Sequence, residues 1–315
     1  MNALVSQPGE NVLSAFALTP VLDVETYPTT SQNQVWRIRL SQHNYVLKAY
    51  ARLSETDLLQ QHCLLDALHA QGIPLSLPLR RGNGETIFSS GEKCYVLFEH
   101  IDAQQVAVFS TAHIVCLASL LATVHAQELS ALNVMARDMT PQVMSLDVLQ
   151  PVLRDAAEPL ISPQHVDTLM MRCTDANAAL PSCHDKPRVL SHGDFIPRNM
   201  LWRDNQTILI DWDYWGWQIR ELDIHNAAIN AAGIGTPDFN PSRYQQFVAA
   251  YAQASRYQVN LPQRQLTQVG YLSWINWLVF CLQQYRQSTH AKLSQYQYEI
   301  ESCLLALTQL ERCFA

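Results

Sequence analysis

The sequence has little positive charge, no paired-cysteine motif and no long apolar segment. It carries 21 lysine and arginine residues against 28 aspartate and glutamate residues, a net charge of −7. A basic surface of the kind that binds nucleic acid is therefore not expected. None of the eight cysteines belongs to a C-x-x-C pair, which excludes the usual zinc-binding and redox motifs and favours reduced thiols in a cytoplasmic protein.

Signals for export and for membrane insertion are also missing. The N-terminal 20 residues lack the basic start and apolar stretch of a signal peptide. The most apolar run, residues 271–282, is shorter than the roughly 20 residues of a membrane-spanning helix, so we predict a buried helix there. With 48% apolar and 16% charged residues, the chain should bury a large core, and its length allows two domains or two lobes.

The first hundred residues combine strand and helix patterns. Residues 35–40 alternate apolar and polar side chains, and residues 45–51 follow after a polar turn, which predicts a β-hairpin. Residues 54–57 form a capping-box signature, so a helix should begin near Glu55 and end at Gly72. Residues 94–101 predict a strongly apolar strand.

Beyond Asp102 the periodicity is mainly helical, interrupted by one β-rich island at residues 188–215. Neither internal repeats nor low-complexity segments are present. The pattern predicts an α+β fold in which a small β-rich part precedes a larger, mostly helical part.

The β-rich island contains an unusual concentration of polar side chains within the stretch SHGDFIPRNMLW. Residues 200–203 and 207–210 are predicted strands joined by residues 204–206, so that Asn199 is expected to lie opposite Asp211. Asp194 lies on a loop bent by Gly193 and Pro197, and it can face the same place.

Two carboxylates and one amide oxygen are hard ligands, the type that Mg²⁺ uses together with phosphate and water oxygens. In phosphoryl transfer, one carboxylate orients the attacking hydroxyl and accepts its proton, and the other ligands hold the metal on the nucleotide phosphates. The alternative is a polar turn before a surface hairpin, which leaves a carboxylate at the end of the apolar residues 208–210 unexplained.

HGDFIPRN followed by ILIDWD resembles the aminoglycoside phosphotransferase and choline kinase group, which has a bilobal protein-kinase-like fold. The resemblance implies a nucleotide-binding lobe at residues 1–98 and a catalytic and acceptor-binding lobe at residues 99–315. It assigns Asp194 as the catalytic base and Asn199 and Asp211 as Mg²⁺ ligands. It makes His192 and Asp223 structural supports of the catalytic loop.

The same resemblance implies an ATP site in the first lobe. Lys48 matches the lysine that contacts the α- and β-phosphates, and backbone groups near Glu99 and His100 would bind the adenine. Residues 27–36 contain no glycine where protein kinases have a glycine-rich loop, so Ser31 and Asn33 are candidates to bind phosphate instead.

The helix after Lys48 should offer it a glutamate, but residues 60–62 include no carboxylate. Three alternatives remain open: Glu55 pairs with the lysine, Gln61 substitutes, or the lysine is held differently. The gap keeps open a second function, that of a nucleotide-binding regulatory module with little or no turnover.

A third function, a metal-dependent phosphohydrolase built from His192, Asp194 and His225, would require a dinuclear metal site. Only one H-x-D motif is present in this region and no second His-Asp pair follows it, which disfavours this alternative.

The segment 212–223 combines aromatic and acidic side chains. A cationic acceptor could contact Tyr214 or Trp215 and pair with Asp213 or Glu221, although core packing also explains the rings. The absence of DFG and APE sequences, and Ile196 in place of a lysine, favour a small acceptor; Arg198 could supply the missing charge or pair elsewhere.

The expected function is therefore an ATP- and Mg²⁺-dependent small-molecule kinase. The acceptor would be an amino alcohol, a homoserine-like amino acid, a sugar or an aminoglycoside. Its expected partners are the nucleotide and the acceptor, with no nucleic acid and no membrane, and the sequence leaves the oligomeric state open.

Overall fold

The computed structural model describes residues 7–29, 33–128, 134–156, 160–203, 206–260, 262–288 and 290–314. The chain divides into two compact units. The first comprises Met1–Gln105, Glu128–Met135 and Asn199–Asp213, and the second comprises Val106–Gln127, Ala136–Arg198 and Tyr214–Ala315. The hairpin that follows the H-G-D motif thus groups with the N-terminal unit, and a lobe boundary at residue 98 stays a prediction.

The described residues form helices α1 to α9 and strands β1 to β11. The helices are α1 Glu10–Ala15, α2 Glu55–Ala70, α3 Thr111–His125, α4 Leu146–Ala156, α5 Pro163–Ala179, α6 Arg220–Ala231, α7 Pro241–Ser255, α8 Gln263–Gln287 and α9 His290–Phe314. The strands are β1 Asp23–Tyr27, β2 Gln34–Arg39, β3 Asn44–Tyr50, β4 Ile87–Ser90, β5 Lys93–Glu99, β6 Gln104–Gln105, β7 Arg137–Asp138, β8 Arg188–Ser191, β9 Met200–Arg203, β10 Gln206–Leu209 and β11 Gly216–Ile219.

An antiparallel sheet in the order β1-β2-β3-β5-β4 forms the main layer of the first unit. The predicted β2–β3 hairpin and the apolar strand β5 are confirmed to within two residues. One face of the sheet is closed by Trp36, Ile38 and Leu47, which are almost completely buried and supply the hydrophobic free energy that holds these strands together.

Helix α2 begins and ends where the sequence predicts. Ser54 Oγ accepts a hydrogen bond from the backbone N–H of Asp57, and the Asp57 carboxylate accepts one from the backbone N–H of Ser54, which completes the capping box. Gly72 follows the helix with φ of +80°, a conformation that glycine adopts readily.

The hairpin of β9 and β10 corrects the predicted register by one residue. Gln206 pairs with Arg203, so only two residues separate the strands, and the predicted pairing of Arg203 with Thr207 is wrong. Asn199 consequently lies opposite Ile210, whose N–H donates to the Asn199 carbonyl oxygen at 3.1 Å, and not opposite Asp211.

The second unit is mainly helical, with α3 to α9 and a three-stranded sheet in the order β7-β11-β8. The predicted buried helix at residues 271–282 is confirmed as part of α8. Leu272, Ile275 and Leu278 of this helix are completely buried. Within the described ranges, no helix has both the length and the hydrophobicity of a membrane span.

Candidate active site

The first unit places Lys48 of β3 between two carboxylates. Its Nζ lies 2.5 Å from Asp211 Oδ1 and 2.7 Å from Asp213 Oδ2, and 4.8 Å from the centre of the Tyr50 ring. Burial lowers the pKa of Lys48, but Tyr50, Asp213 and Asp211 outweigh it and hold this pKa well above the usual value. The two aspartates therefore favour the charged ammonium form of this buried lysine.

Asp213 is the more enclosed of the two carboxylates, with 11% of its side chain exposed against 43% for Asp211. Asn33 Nδ2 donates to the same Asp213 oxygen that binds Lys48, at 2.9 Å. Burial raises the pKa of Asp213 to about 6, with Asp211 adding to the rise and Lys48 opposing it. The sequence did not predict that Lys48, Asn33 and Asp213 form one cluster.

The carboxylate partner of Lys48 is thus settled for the free protein. Glu55 lies at the start of α2 and accepts a hydrogen bond from Ser89 Oγ at 2.7 Å. Among the described residues, Lys48 bonds to the two aspartates of the I-D-W-D motif and not to Glu55 or Gln61. Of the three alternatives, the third therefore holds in the free protein: the lysine is held differently.

Asn199 and Asp211, the predicted Mg²⁺ ligands, both belong to the first unit. Asn199 is 5% exposed at the end of a 3₁₀ turn, Pro197–Asn199. Asp211 follows β10 with φ of +64°, so the alternation of the strand no longer dictates where its side chain points. Their oxygens are hard donors of the kind that Mg²⁺ prefers.

The charges of this cluster fit a divalent cation. Two carboxylates face one ammonium group, and the buried Asp213 Oδ1 has no hydrogen-bond partner among the described residues. The described part of the chain holds no group of three or more His, Cys, Asp or Glu side chains suited to a metal. A metal at Asn199 and Asp211 would therefore take its other ligands from phosphates and water, as Mg²⁺ commonly does.

The predicted adenine contacts lie at the end of β5. Glu99 pairs with Tyr45 of β3, and the backbone N–H of His100 donates to the Asn44 carbonyl oxygen at 3.1 Å. That N–H is occupied within the sheet, so an adenine would have to use other backbone groups of this segment. Ser31, the other predicted phosphate contact, lies outside the described residues.

In the second unit, Asp194 lies on a tight loop after β8. Gly193 has φ of +81°, and a Cβ atom on it would lie 1.9 Å from the Tyr214 carbonyl oxygen, so no other residue fits without moving the backbone. The backbone N–H of Asp194 donates to His192 Nδ1 at 3.3 Å. His192 is fully buried, which is consistent with its predicted role as a support of the loop.

Asp223 of α6 anchors the start of this loop. Its Oδ1 accepts a hydrogen bond from Ser191 Oγ at 2.8 Å, and Ser191 Oγ in turn accepts one from the Gly193 N–H at 3.0 Å. Asp223 Oδ2 lies 2.8 Å from His125 Nε2, and His125 Nδ1 lies 2.8 Å from the Tyr251 hydroxyl. The sequence indicated the role of Asp223 but gave no signal for Tyr251.

Arg198 lies between Asp194 and Glu299 in the second unit. Arg198 Nη2 lies 3.9 Å from Asp194 Oδ2, and its Nη1 lies 3.6 Å from Glu299 Oε1. Trp277 Nε1 donates to the other Glu299 oxygen at 3.2 Å, and its ring lies 6.0 Å from the Arg198 guanidinium. Arg198 thus forms ion pairs, as one of the two alternatives predicted, and a role toward the phosphate stays a prediction. Glu299, on a C-terminal helix without a motif, was missed.

The remaining predicted acceptor residues divide by exposure. Trp215 is 8% exposed and Glu221 is 1% exposed, with Glu221 Oε1 accepting a hydrogen bond from the Tyr257 hydroxyl at 2.6 Å. These two side chains pack in the interior, whereas Tyr214 is 57% exposed. Asp194 belongs to the second unit, so its convergence with Asn199 and Asp211 stays a prediction.

Residues 23–266 match the model of the phosphotransferase enzyme family. This match covers most of the chain, and the protein therefore belongs to the phosphotransferase enzyme family. The resemblance to aminoglycoside phosphotransferases and choline kinases is confirmed, and so is the prediction of a phosphotransferase with a hydroxyl acceptor. No curated protein sequence matches the chain significantly.

Solved structures of small-molecule kinases share the fold. A spectinomycin phosphotransferase in complex with ADP and spectinomycin aligns with a TM-score of 0.75 at 12% identity, covering 97% of this chain and all of that one. A microcompartment-associated aminopropanol kinase gives 0.69 at 15% identity, covering 97% of this chain and 99% of that one. An amicoumacin kinase with AMP-PNP and Ca²⁺ aligns with a TM-score of 0.59 at 15% identity, covering 88% of this chain and 87% of that one. The predicted α+β, protein-kinase-like fold class is confirmed.

Proposed function

We propose that this phosphotransferase moves the γ-phosphoryl group of ATP to a hydroxyl group of a small molecule, with Mg²⁺. The buried Lys48 between Asp211 and Asp213 is the observation that supports this proposal most strongly. A fixed ammonium group beside a metal-binding carboxylate is the arrangement that neutralises triphosphate charge in phosphoryl transfer.

Each residue has a separate part in this reaction. Lys48 would contact the α- and β-phosphates. The Asn199 and Asp211 oxygens would hold Mg²⁺, which when bound would supply positive charge against the phosphate oxygens. Asp194 orients the acceptor hydroxyl and takes its proton as the oxygen attacks the γ-phosphorus and ADP leaves. Backbone groups near Glu99 and His100, other than the His100 N–H, would bind the adenine.

The support beneath Asp194 makes it suited to the role of base. Asp223 holds the Ser191 hydroxyl, which accepts a hydrogen bond from the Gly193 N–H, and Gly193 packs against the Tyr214 carbonyl. The backbone that leads to Asp194 is therefore held in place before substrate binds. Most of the rate enhancement of such enzymes comes from positioning and from preorganised charge. A loop held by its own hydrogen bonds meets that requirement.

For the acceptor, we propose a hydroxyl compound of the amino alcohol or aminoglycoside type, ahead of a homoserine-like amino acid or a sugar. Similar folds occur in an aminopropanol kinase and in a spectinomycin phosphotransferase, which supports these two classes. Glu299 and Trp277 lie beside the Arg198–Asp194 pair, and a carboxylate with an indole ring can bind an ammonium group. The exposed Tyr214 is the further candidate.

The test is ADP release from MgATP with a panel of amino alcohols, aminoglycosides, hydroxyl amino acids and sugars, comparing the wild type with Asp194→Asn. Turnover with one class, lost in the variant while ADP affinity is kept, supports the proposal. Wild-type turnover that persists in Asp194→Asn removes Asp194 as the base. A chain that binds nucleotide but never turns over contradicts the proposed function.

The regulatory module loses the observation that favoured it, because Lys48 has carboxylate partners after all. The phosphohydrolase alternative requires His225 as a metal ligand. His225 is 1% exposed, and its Nδ1 lies 3.1 Å from the Tyr244 hydroxyl, deep in the helical unit. A cytoplasmic location remains our proposal from the pattern of cysteines.

A further inference from the structure

We infer that Asp213, held in place by Asn33, is the residue that positions Lys48 for the nucleotide phosphates, in the role that a carboxylate of α2 was expected to fill. This inference rests on the proposed function. It assigns Asp213 to the nucleotide site and not to the acceptor, and it makes Asn33 a support of Asp213 in addition to a candidate phosphate contact.

Helix α2 provides no carboxylate for this purpose, because all three of its acidic side chains are engaged elsewhere. Glu55 accepts from Ser89 Oγ at 2.7 Å, Asp57 closes the capping box with Ser54, and Asp66 pairs with Arg80 at 2.9 Å. Moving Glu55 or Asp57 to Lys48 would break a contact with β4 or the capping box, and moving Asp66 would break its ion pair with Arg80.

Asp213 is suited to the role by its burial and by its second hydrogen bond. Its Oδ2 atom accepts from both Lys48 Nζ at 2.7 Å and Asn33 Nδ2 at 2.9 Å, which fixes the direction of the carboxylate. Asn33 is anchored in turn, because its Oδ1 accepts from the backbone N–H of Ala51 at 3.1 Å. Ala51 directly follows β3, the strand that carries Lys48.

The two aspartates that hold Lys48 are therefore not equivalent. Asp211 has 43% of its side chain exposed, whereas Asp213 has 11%. If Asp211 turns to a metal ion, Lys48 retains Asp213 and stays in place, because the Asn33–Asp213 bond does not involve Asp211. One aspartate then serves the cation and the other serves the lysine.

The experiment measures ADP affinity by calorimetry, with and without Mg²⁺, for Asp213→Asn and for the matched control Glu55→Gln. We expect Asp213→Asn to weaken ADP binding at least about tenfold in both conditions, because it removes one partner of a buried charge pair. Asp213→Glu should recover part of the loss. Glu55→Gln should bind ADP as the wild type does, and the acceptor KM should not change in Asp213→Asn.

Each rival assignment gives a different result. Unchanged ADP affinity with a raised acceptor KM makes Asp213 an acceptor residue, and a loss confined to Mg²⁺-containing samples makes it a metal ligand; either overturns the inference. A loss of ADP affinity in Glu55→Gln, with wild-type affinity in Asp213→Asn, also overturns the inference. A wild-type chain that binds no ADP overturns the proposed function as well, which separates the two failures.

A folding defect in Asp213→Asn would show in the thermal unfolding of the free variants. Asn33→Ala then decides the matter, because it removes the hydrogen bond that orients Asp213 but leaves the carboxylate and Lys48 in the chain. It should weaken ADP binding severalfold at an unchanged acceptor KM. Wild-type ADP affinity in Asn33→Ala, with Asp213→Asn unfolded, overturns the inference.

Discussion

Replacing Gly193 by alanine tests whether the loop that carries Asp194 must approach Tyr214 as closely as the structure shows. The added Cβ would lie 1.9 Å from the Tyr214 carbonyl oxygen, whereas ordinary contact begins at 3.4 Å, a shortfall of 1.5 Å. The added Cβ would clash with backbone atoms of Tyr214, so no side-chain rotation relieves the clash. Residue 193 must therefore move away from Tyr214, and the backbone of Asp194 must move with it.

The expected loss of stability in Gly193→Ala has two parts, which a matched control variant separates. Gly91, in the turn between β4 and β5, also has a positive φ, of +61°, but a Cβ atom there meets nothing within 4 Å. Gly91→Ala should therefore cost only the left-handed conformation, about 1–2 kcal/mol. Gly193→Ala adds the forced displacement, about 1–3 kcal/mol more. A misplacement of about 1 Å in the catalytic loop should also lower turnover about a hundredfold.

The assays are urea unfolding for both variants and ADP release at saturating acceptor. Gly193→Ala should lose both stability and turnover, and Gly91→Ala should lose a little stability and keep its turnover. Nearly equal unfolding free energies for the two variants, together with wild-type turnover in Gly193→Ala, would refute the close approach. The control shows how much stability is lost when alanine replaces any glycine with a positive φ, so that this loss is not attributed to the clash in the loop.

Three further changes test other parts of the molecule. Asp223→Asn weakens the buried contacts to Ser191 and His125, so urea unfolding should show a loss of about 2–4 kcal/mol and kcat should fall more than the KM for ATP changes; an unaffected kcat contradicts the anchoring role. Burial lowers the pKa of His225 from 6.5 to about 3, so the folded state leaves it neutral where the unfolded chain is protonated. As the pH is lowered from 6.5 towards 3, the free energy of unfolding should therefore decrease by about 1.4 kcal/mol per pH unit. His225→Gln should flatten that dependence in urea titrations between pH 6.5 and 4, and an unchanged slope argues against the assignment. Glu299→Gln should raise the KM of an amine-bearing acceptor severalfold at constant ADP affinity, and an equal effect on an acceptor without an amine contradicts a role in ammonium recognition.

Local patterns in the sequence were enough to predict most elements near the site. Alternation identified β2, β3 and β5, and the capping box fixed the start of α2, because these signals depend on residues close in the chain. The H-G-D motif indicated the loop of Asp194, and the adjoining glycine and proline indicated its bend. The family match over residues 23–266 agrees with that interpretation.

The register of the β9–β10 hairpin was predicted wrongly for a specific reason. Asp204 and Asn205 are good turn formers and Gln206 is also polar, so the sequence does not show whether Gln206 belongs to the turn or begins the second strand. Gln206 takes that place and pairs with Arg203. A one-residue change in loop length shifts every opposing pair, and so Asn199 faces Ile210.

The partner of Lys48 depends on contacts that are distant in sequence. Asp211 and Asp213 lie 163 and 165 residues after Lys48, and Asn33 lies 180 residues before Asp213. No periodicity links such positions, and the resemblance directed attention to the nearby helix instead. Tyr251 and Glu299 were missed for the same reason, since each sits on a helix whose pattern indicates only packing.

The two aspartates of the I-D-W-D motif give a physical reason to expect that the proposed nucleotide site requires a divalent cation. The motif brings both carboxylates to one ammonium group, with the buried Trp212 between them in the chain. Burial raises the pKa of Asp213 to about 6, and the nearby Asp211 carboxylate adds to the rise while Lys48 opposes it. Lys48 neutralises one of these charges and leaves the other. A triphosphate brings further negative charge and would be repelled by the remaining carboxylate, unless a divalent cation lies between the two. Under the proposed function, this geometry would couple nucleotide affinity to Mg²⁺ through Asp211, while Asp213 would keep the lysine charged and in place.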